Sequence, residues 1–284
     1  MSASFASFSE CAICTQPAAT PTECACHSQL AHVACLVRRA RERAARTSAL
    51  HERAEAWSVC PTCHQTFRGH VHRVLSDEWI RVASAASPES PESAGSARVE
   101  LTLAKNRRAI SLIELGVYPQ AASELRALLA ESARLHGSEH PVTLITAGNL
   151  ALAFSRNDDY EAAEQIQREL LCARLRLCGP MHPSVLTVQG NLAATLMRRG
   201  KLEESEELER RVHSGRAKLL GPESPATLVS AGNLALVMGM QGKKSEAAAV
   251  MLATWRVQRR VLGPDHPDTT ATRASLKTIL SPKS

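Results

Sequence analysis

GSEHP at 137–141, GPMHP at 179–183, GPESP at 221–225 and GPDHP at 263–267 recur along this chain at a constant spacing of 42 residues. A second phrase keeps the same register: AGNLAL at 147–152, QGNLAA at 189–194 and AGNLAL at 231–236. A fixed period inside one chain is the signature of stacked supersecondary units. Glycine suits the backbone just past a helix end, and proline suits the first turn of the next helix, so each phrase closes one helix and opens another. His140, His182 and His266 immediately precede those prolines. A capping or turn role is expected for them rather than metal binding. A second break falls at Gly116, Gly200 and Gly242, with Asp158 at the equivalent place in the remaining copy. Each unit is therefore a helical hairpin. Four hairpins are expected, beginning near residues 97, 140, 182 and 224, with a closing helix over 267–280.

The columns of this register predict the packing. Leu135/Leu177/Leu219/Val261 and Leu150/Leu192/Leu234/Leu276 are apolar throughout and are expected to line the shared core. Small residues recur at Ala109/Ala151/Ala193/Ala235 and Ala121/Ala163/Ser205/Ala247, where helices must approach closely. A lone hairpin cannot bury its apolar face, so stability comes from stacking on neighbours. Cys178 shares a column with Leu220 and Leu262 and is expected to be a small core residue.

Composition agrees with a helical, folded chain. Of 284 residues, 44% are hydrophobic and only 3% aromatic, which disfavours a β-sandwich. No apolar run reaches bilayer length, so no membrane span is expected. The net charge of +6 raises the question of nucleic acid, but single-strand binders also need aromatic stacking platforms, and no nucleic-acid partner is expected. The basic run Arg38, Arg39, Arg41, Arg43 and Arg46 reads as a solvated helix face.

Ahead of the repeats, cysteines dominate. Seven of the nine lie between positions 11 and 63, and with one histidine they pair as Cys11-x2-Cys14, Cys24-x-Cys26, His32-x2-Cys35 and Cys60-x2-Cys63. Thiolate and imidazole in such pairs are the ligands of structural zinc, and eight of them make two closed four-ligand sites with no open position for metal catalysis. The alternative, a disulfide framework, needs an oxidising compartment. Met1 to Glu10 carries no basic residue or apolar core, so no secretory signal is expected there. The organisation read from the sequence is thus a zinc segment over 1–69, a helix at 70–83 followed by a Ser/Pro/Glu/Ala/Gly linker at 84–96, and the repeats over 97–284. The fold class is mostly α, a small two-zinc finger joined to an α-solenoid of antiparallel hairpins.

The repeats resemble tetratricopeptide repeats of the kinesin-light-chain type, which are 42 residues long and carry the same G-x-x-H-P and N-L-A phrases. That resemblance implies a protein or peptide partner held along the first helices. Asn149, Asn191 and Asn233 form a ladder at one period; an amide both donates and accepts, which suits an extended peptide backbone. Equally, each asparagine suits a bond to a neighbouring helix. The first copy has Arg107 where the later copies have asparagine.

The zinc segment resembles a RING-variant (RING-CH) finger in its C4HC3 order, carried by CAIC, CAC, HVACL and CPTC. By that resemblance the sites interleave: Cys11, Cys14, His32 and Cys35 hold one zinc ion, and Cys24, Cys26, Cys60 and Cys63 the other. A PHD finger shares the ligand order, but its tryptophan stands two places before the seventh ligand, whereas Trp57 stands three places before Cys60. The RING resemblance implies an E3 ubiquitin ligase that works by positioning a ubiquitin-charged conjugating enzyme. Ile13 and Pro61 occupy the family's docking places, and Trp57 is a third candidate contact. The rival readings are a non-enzymatic zinc-binding scaffold and a chromatin reader. A cytoplasmic or nuclear protein is expected.

Overall fold

The computed structural model describes residues 33–60, 64–86 and 90–280. The described residues are helical apart from turns and one antiparallel bridge, Val59 to Thr66. Compact packing divides the chain into two units, Met1–Asn157 and Asp158–Ser284.

The first unit holds α1 (Val33–Ala45), α2 (Leu50–Ser58), α3 (Gly69–Ser84), α4 (Pro91–Glu114), α5 (Tyr118–His136) and α6 (Pro141–Arg156). α3 bears out the helix expected at 70–83. The linker is shorter than its composition suggests. Ser90 caps α4 reciprocally with Ser93, and Pro91 sits in the first helical turn, so residues 91–96 are helix. α4 therefore starts before the repeat register does. α4 packs against α3, and one core joins Leu36 and Ala40 of α1, Trp57 of α2, Leu75 and Trp79 of α3, and Ala104 of α4. Glu100 of α4 ties three helices together: Trp79 Nε1 donates to it at 3.0 Å and Arg53 of α2 is its ion-pair partner. The sequence reading of a tether between two separate halves gives way, over 91–96, to a helix that shares a core with α1–α3.

The second unit holds α7 (Tyr160–Cys178), α8 (Pro183–Arg198), α9 (Leu202–Leu220), α10 (Pro225–Met240), α11 (Lys244–Val261) and α12 (Pro267–Leu280). The 42-residue register is reproduced helix by helix. His140, His182 and His266 act as N-caps, each Nδ1 accepting from the backbone N–H two residues on, at 3.2, 3.1 and 3.2 Å. At the second break Gly116, Gly200 and Gly242 have φ of 78°, 76° and 85°, and Asp158 follows them with φ 60°. Aspartate is among the few side chains that tolerate this region.

The glycines ending the second helices combine a positive φ with an extended ψ. Gly137, Gly179 and Gly221 have φ of 97°, 77° and 87° with extended ψ of 155°, 166° and 158°. That corner of backbone space is essentially closed to residues with a Cβ.

The small-residue columns are fully buried, and at α8–α9 the close approach is explicit: Ser205 Oγ donates to the Ala193 carbonyl at 2.8 Å. In the Leu150/Leu192/Leu234/Leu276 column the first three are buried as expected, and Leu276 is half-buried. The Leu135/Leu177/Leu219/Val261 column is not buried. Leu135 is half-buried, and Leu177, Leu219 and Val261 are 49%, 46% and 45% exposed. These residues lie in the last turn of their helices, where the chain is already leaving the packed face. Cys178, one residue further on, is exposed for the same reason; Cys172, inside α7, is exposed too.

Charged latches repeat as well. Glu164 of α7 accepts from Arg168, Arg199 and Lys201 at 2.9, 2.6 and 2.8 Å, and one period later Glu206 accepts from Arg210 and Lys243 at 2.6 and 2.7 Å. Burial alone pushes the Glu164 carboxyl upward, but hydrogen bonds from Lys201, Arg168 and Arg199 outweigh it and hold the group at about 2.

Two glycine substitutions test the backbone assignment in opposite directions. Gly179→Ala is expected to cost about 1–3 kcal/mol, because no alanine is comfortable at that φ and ψ. Gly95→Ala, inside α4 with open space around its Cβ position, is expected to gain about 0.5–1 kcal/mol. Urea unfolding of each variant beside the parent gives both signs; equal effects at the two positions would reject the assignment.

Candidate interaction surface on the first helices

On the first helices of the repeats the face turned away from the core repeats in composition. On α6 it presents Ile145, Asn149 and Leu152; on α8, Thr187, Asn191 and Ala194; on α10, Val229, Asn233 and Leu236. These positions are exposed or half-buried in every copy. They stand at i, i+4 and i+7, one stripe of a helix. Gly190 and Gly232 lie beside the asparagines, and a Cβ at Gly232 would meet nothing within 4 Å. The result is a shallow strip of apolar and small residues with an amide at its centre. Within the first unit α4 and α6 pack side by side, and within the second α8, α10 and α12 do.

The three asparagines have different surroundings. Asn149 Nδ2 donates to Asn106 Oδ1 at 2.8 Å, and Asn106 in turn donates to Thr146 Oγ1 at 2.8 Å and to the Thr102 carbonyl at 3.0 Å. Asn149 thus serves α4–α6 packing. Asn233 donates to Glu209 of α9 at 3.3 Å. Asn191 is exposed and is the member of the ladder most open to a partner. Asn106 escapes the sequence reading because it stands 43 rather than 42 residues before Asn149. Arg107 keeps the strict period, while the neighbouring residue supplies the amide.

Glu209 is a buried carboxyl with one oxygen lacking a hydrogen-bond partner among the described residues. Burial pushes it up to about 7, against the opposing effects of the Asn233 hydrogen bond and the Arg216 charge. One period earlier the same column holds Gln167, also buried.

The family model described as tetratricopeptide repeat matches residues 100–173 and 184–252. The chain belongs to the tetratricopeptide-repeat family. Solved structures agree. Nearly identical TPR-like repeats of a putative kinesin light chain from Podosopora anserina match with 26% identity and a TM-score of 0.56, covering 62% of this chain and 83% of that one. A point variant of the same repeats matches with 27% identity and a TM-score of 0.56, covering 62% and 82%. BtubC (BKLC) from P. vanneervenii matches in fold, with 20% identity, a TM-score of 0.62 and coverage of 83% and 92%. None of the curated proteins matches the chain. As in tetratricopeptide repeats generally, the repeat array is a scaffold for protein–protein interaction.

The remaining site residues read from the sequence fall in or near α1 and α2. Cys35 lies in the first turn of α1 and Cys60 just beyond α2, and both pack against the core shared by α1–α4. Cys11, Cys14, Cys24, Cys26, His32 and Cys63, with Ile13 and Pro61, lie outside the described residues. Around Cys60 the chain closes tightly. The Cys60 N–H donates to the Gln65 carbonyl at 2.8 Å, the His64 N–H donates to the Cys60 carbonyl at 2.9 Å, and His64 takes a positive φ of 55°. Trp57 is 1% exposed and belongs to the core. A docking contact needs exposed surface, so the structure corrects the reading of Trp57 as one: it packs beneath the turn. No group of three metal-capable side chains forms among the described residues, and no helix among them is long and apolar enough to cross a membrane.

The ladder separates by experiment. Asn149→Ala is expected to cost about 1 kcal/mol of stability by leaving Asn106 short of a partner, whereas Asn191→Ala should leave the melting temperature unchanged and weaken peptide binding. The reverse pattern in thermal melts would reject the division of roles. For Glu209 the sign follows from linkage. Its folded pKa lies above the unfolded value, so stability is lost as pH rises from about 4.5 to about 7. Glu209→Gln is therefore expected to stabilise by about 1–3 kcal/mol at pH 8 and hardly at all at pH 4.5. Melting temperatures across that range check it; a pH-independent difference would refute the burial argument.

Proposed function

We propose that this tetratricopeptide-repeat protein is a RING-type E3 ubiquitin ligase, in which an N-terminal two-zinc finger recruits a ubiquitin-charged conjugating enzyme and the repeats bind the substrate or an adaptor. The observation that carries the reading is the ligand order Cys11/Cys14, Cys24/Cys26, His32/Cys35, Cys60/Cys63. It has the composition of two tetrahedral zinc sites and the order of RING-variant fingers. The backbone bonds from the Cys60 N–H to the Gln65 carbonyl and from the His64 N–H to the Cys60 carbonyl support it, since they draw together the described chain on either side of the last ligand pair. Cys35 and Cys60 at the edge of one apolar core fit it too, because a short finger with few large apolar side chains leans on metal for its folding. Zinc here is structural: it supplies folding free energy and leaves the chemistry to the conjugating enzyme.

The mechanism on this reading is positioning. Ile13 and Pro61 contact the conjugating enzyme, Trp57 supports the turn from beneath, and a peptide held on the first-helix strip places its lysine near the charged thioester. The exposed Asn191 and the apolar residues around it offer the strip's contacts. A non-enzymatic scaffold is the second reading, favoured by the burial of Trp57, which leaves the docking surface with two of its three candidate contacts.

The test is autoubiquitination by the purified full-length chain across a panel of conjugating enzymes, with elemental analysis of the same material. Two zinc ions per chain and ubiquitin chains that disappear in Cys60→Ser and fall at least about tenfold in Ile13→Ala are expected. Two zinc ions with no ubiquitin transfer by any enzyme would establish the scaffold. Markedly fewer than two would remove the finger itself.

A further inference from the structure

A cleft of about 640 Å³ opens between α1, α2, the end of α3 and the start of α4. Nine of the thirteen residues that line it precede α4, so it is separate from the strip on α6, α8 and α10. Small side chains make the space: Ala44 of α1, Ala83 of α3 and Ala97 of α4 leave room beside Trp57 of α2. A volume of this size, mostly apolar with a few polar groups, suits a small molecule.

The polar groups of the lining say what kind. Trp57 is 1% exposed, and its Nε1–H has no hydrogen-bond partner among the described residues. One helical turn earlier, on the same face of α2, the Arg53 Nε–H is buried and unpartnered as well. Buried donors are nearly always paired, and leaving one unmade is costly. The carboxylate in the lining is already spent. Glu100 Oε1 accepts from Trp79 Nε1 at 3.0 Å, and its Oε2 accepts from a terminal nitrogen of Arg53. No acceptor of the lining is left both buried and unpartnered. The missing group is therefore an acceptor. Its charge follows from the neighbours. Arg53 and Glu100 cancel, whereas Arg41, also in the lining, shares the single Glu78 carboxylate with Arg81, at 2.7 Å each. That cluster keeps one positive charge in excess. An anionic acceptor fits the balance, and the alanines fit an apolar body attached to it.

We propose that this cleft binds a small monocarboxylate with an apolar body, the carboxylate accepting from Arg53 and Trp57 and the body lying among Ala44, Ala83 and Ala97. Such a ligand touches α2 and α4 at once, the two helices that Glu100 already joins, and tightens the core between them. It needs neither ligase activity nor a peptide on the strip.

Isothermal titration calorimetry of the full-length chain with decanoate, decylamine and acetate decides it, with the two long-chain probes kept below micelle-forming concentrations. Decanoate is expected to bind at least about tenfold tighter than decylamine, which has the same body and no anionic acceptor, and acetate is expected not to bind measurably. Ala97→Phe fills the space from a half-buried helix position; it is expected to abolish decanoate binding and leave the melting temperature unchanged. Trp57→Phe keeps a ring and removes the donor, and is expected to weaken decanoate at least about fivefold with decylamine unaffected. If that variant does not fold by circular dichroism, Ala97→Phe decides alone. Equal affinity for decanoate and decylamine would overturn the assignment, since an apolar hole without donors treats them alike. Decanoate binding that survives Ala97→Phe belongs elsewhere on a basic chain and overturns it too. So does an unchanged decanoate affinity in folded Trp57→Phe, or no decanoate binding to the parent.

Discussion

The close approach of paired helices at side chains no larger than serine is the constraint on which the repeat architecture depends. In α8–α9 it joins Ala193 to Ser205, and in α10–α11 the same register places Ala235 and Ala247, all fully buried. A larger side chain at either column would push the axes apart, and the leucines at 192 and 234 would lose the contacts that bury them. Close pairing also fixes which stripe of each first helix is left outward. The stripe at Thr187, Asn191 and Ala194, and again at Val229, Asn233 and Leu236, is exposed because the opposite side is committed to the partner helix. The binding surface is thus a remainder of packing, which is why its composition can vary between copies while its position does not.

Packing of this kind determines what can be read from the sequence and what cannot. Periodicity reveals columns, and a column filled by alanine, glycine or histidine before proline carries its reason with it: close approach, positive φ, or an N-cap. The helices, their breaks and their caps are legible on that basis. A column filled by leucine is ambiguous, since apolar character persists at a helix end whose contacts have already been lost. Leu177, Leu219 and Cys178 read as core for that reason, and are exposed. Asn106 is hidden by a slip of one residue, which strict periodicity cannot detect. The linker reads too long because Ser-Pro-Glu composition marks a helix N-terminus as well as a tether, and only the reciprocal Ser90–Ser93 cap distinguishes them.

The polar residues buried between helices show how much latitude the register leaves. One column runs Leu125, Gln167, Glu209, Met251, all buried. A leucine and a methionine satisfy it with dispersion alone. Glutamine and glutamate fit the same volume but leave an oxygen unpartnered. For glutamate the cost appears as a pKa pushed to about 7, whereas Glu164, buried as well but surrounded by three cations, is held at about 2. Both carboxylates are enclosed; the partners decide the sign.

The shared core of the first unit bears directly on how a finger and a repeat array would work together. A loose tether would let a recruited enzyme sample many orientations relative to a bound peptide. Here Glu100 holds Trp79 of α3 and Arg53 of α2 against α4, the helix that opens the repeat register. Trp57, beside the Cys60 turn, is packed in the same core that reaches Ala104 of α4. Whatever docks at that turn is therefore oriented with respect to Arg107 and Ile110, one to two turns further along α4. Coupling through a packed core restricts geometry rather than transmitting a signal, and for transfer by positioning, restricted geometry is the source of selectivity.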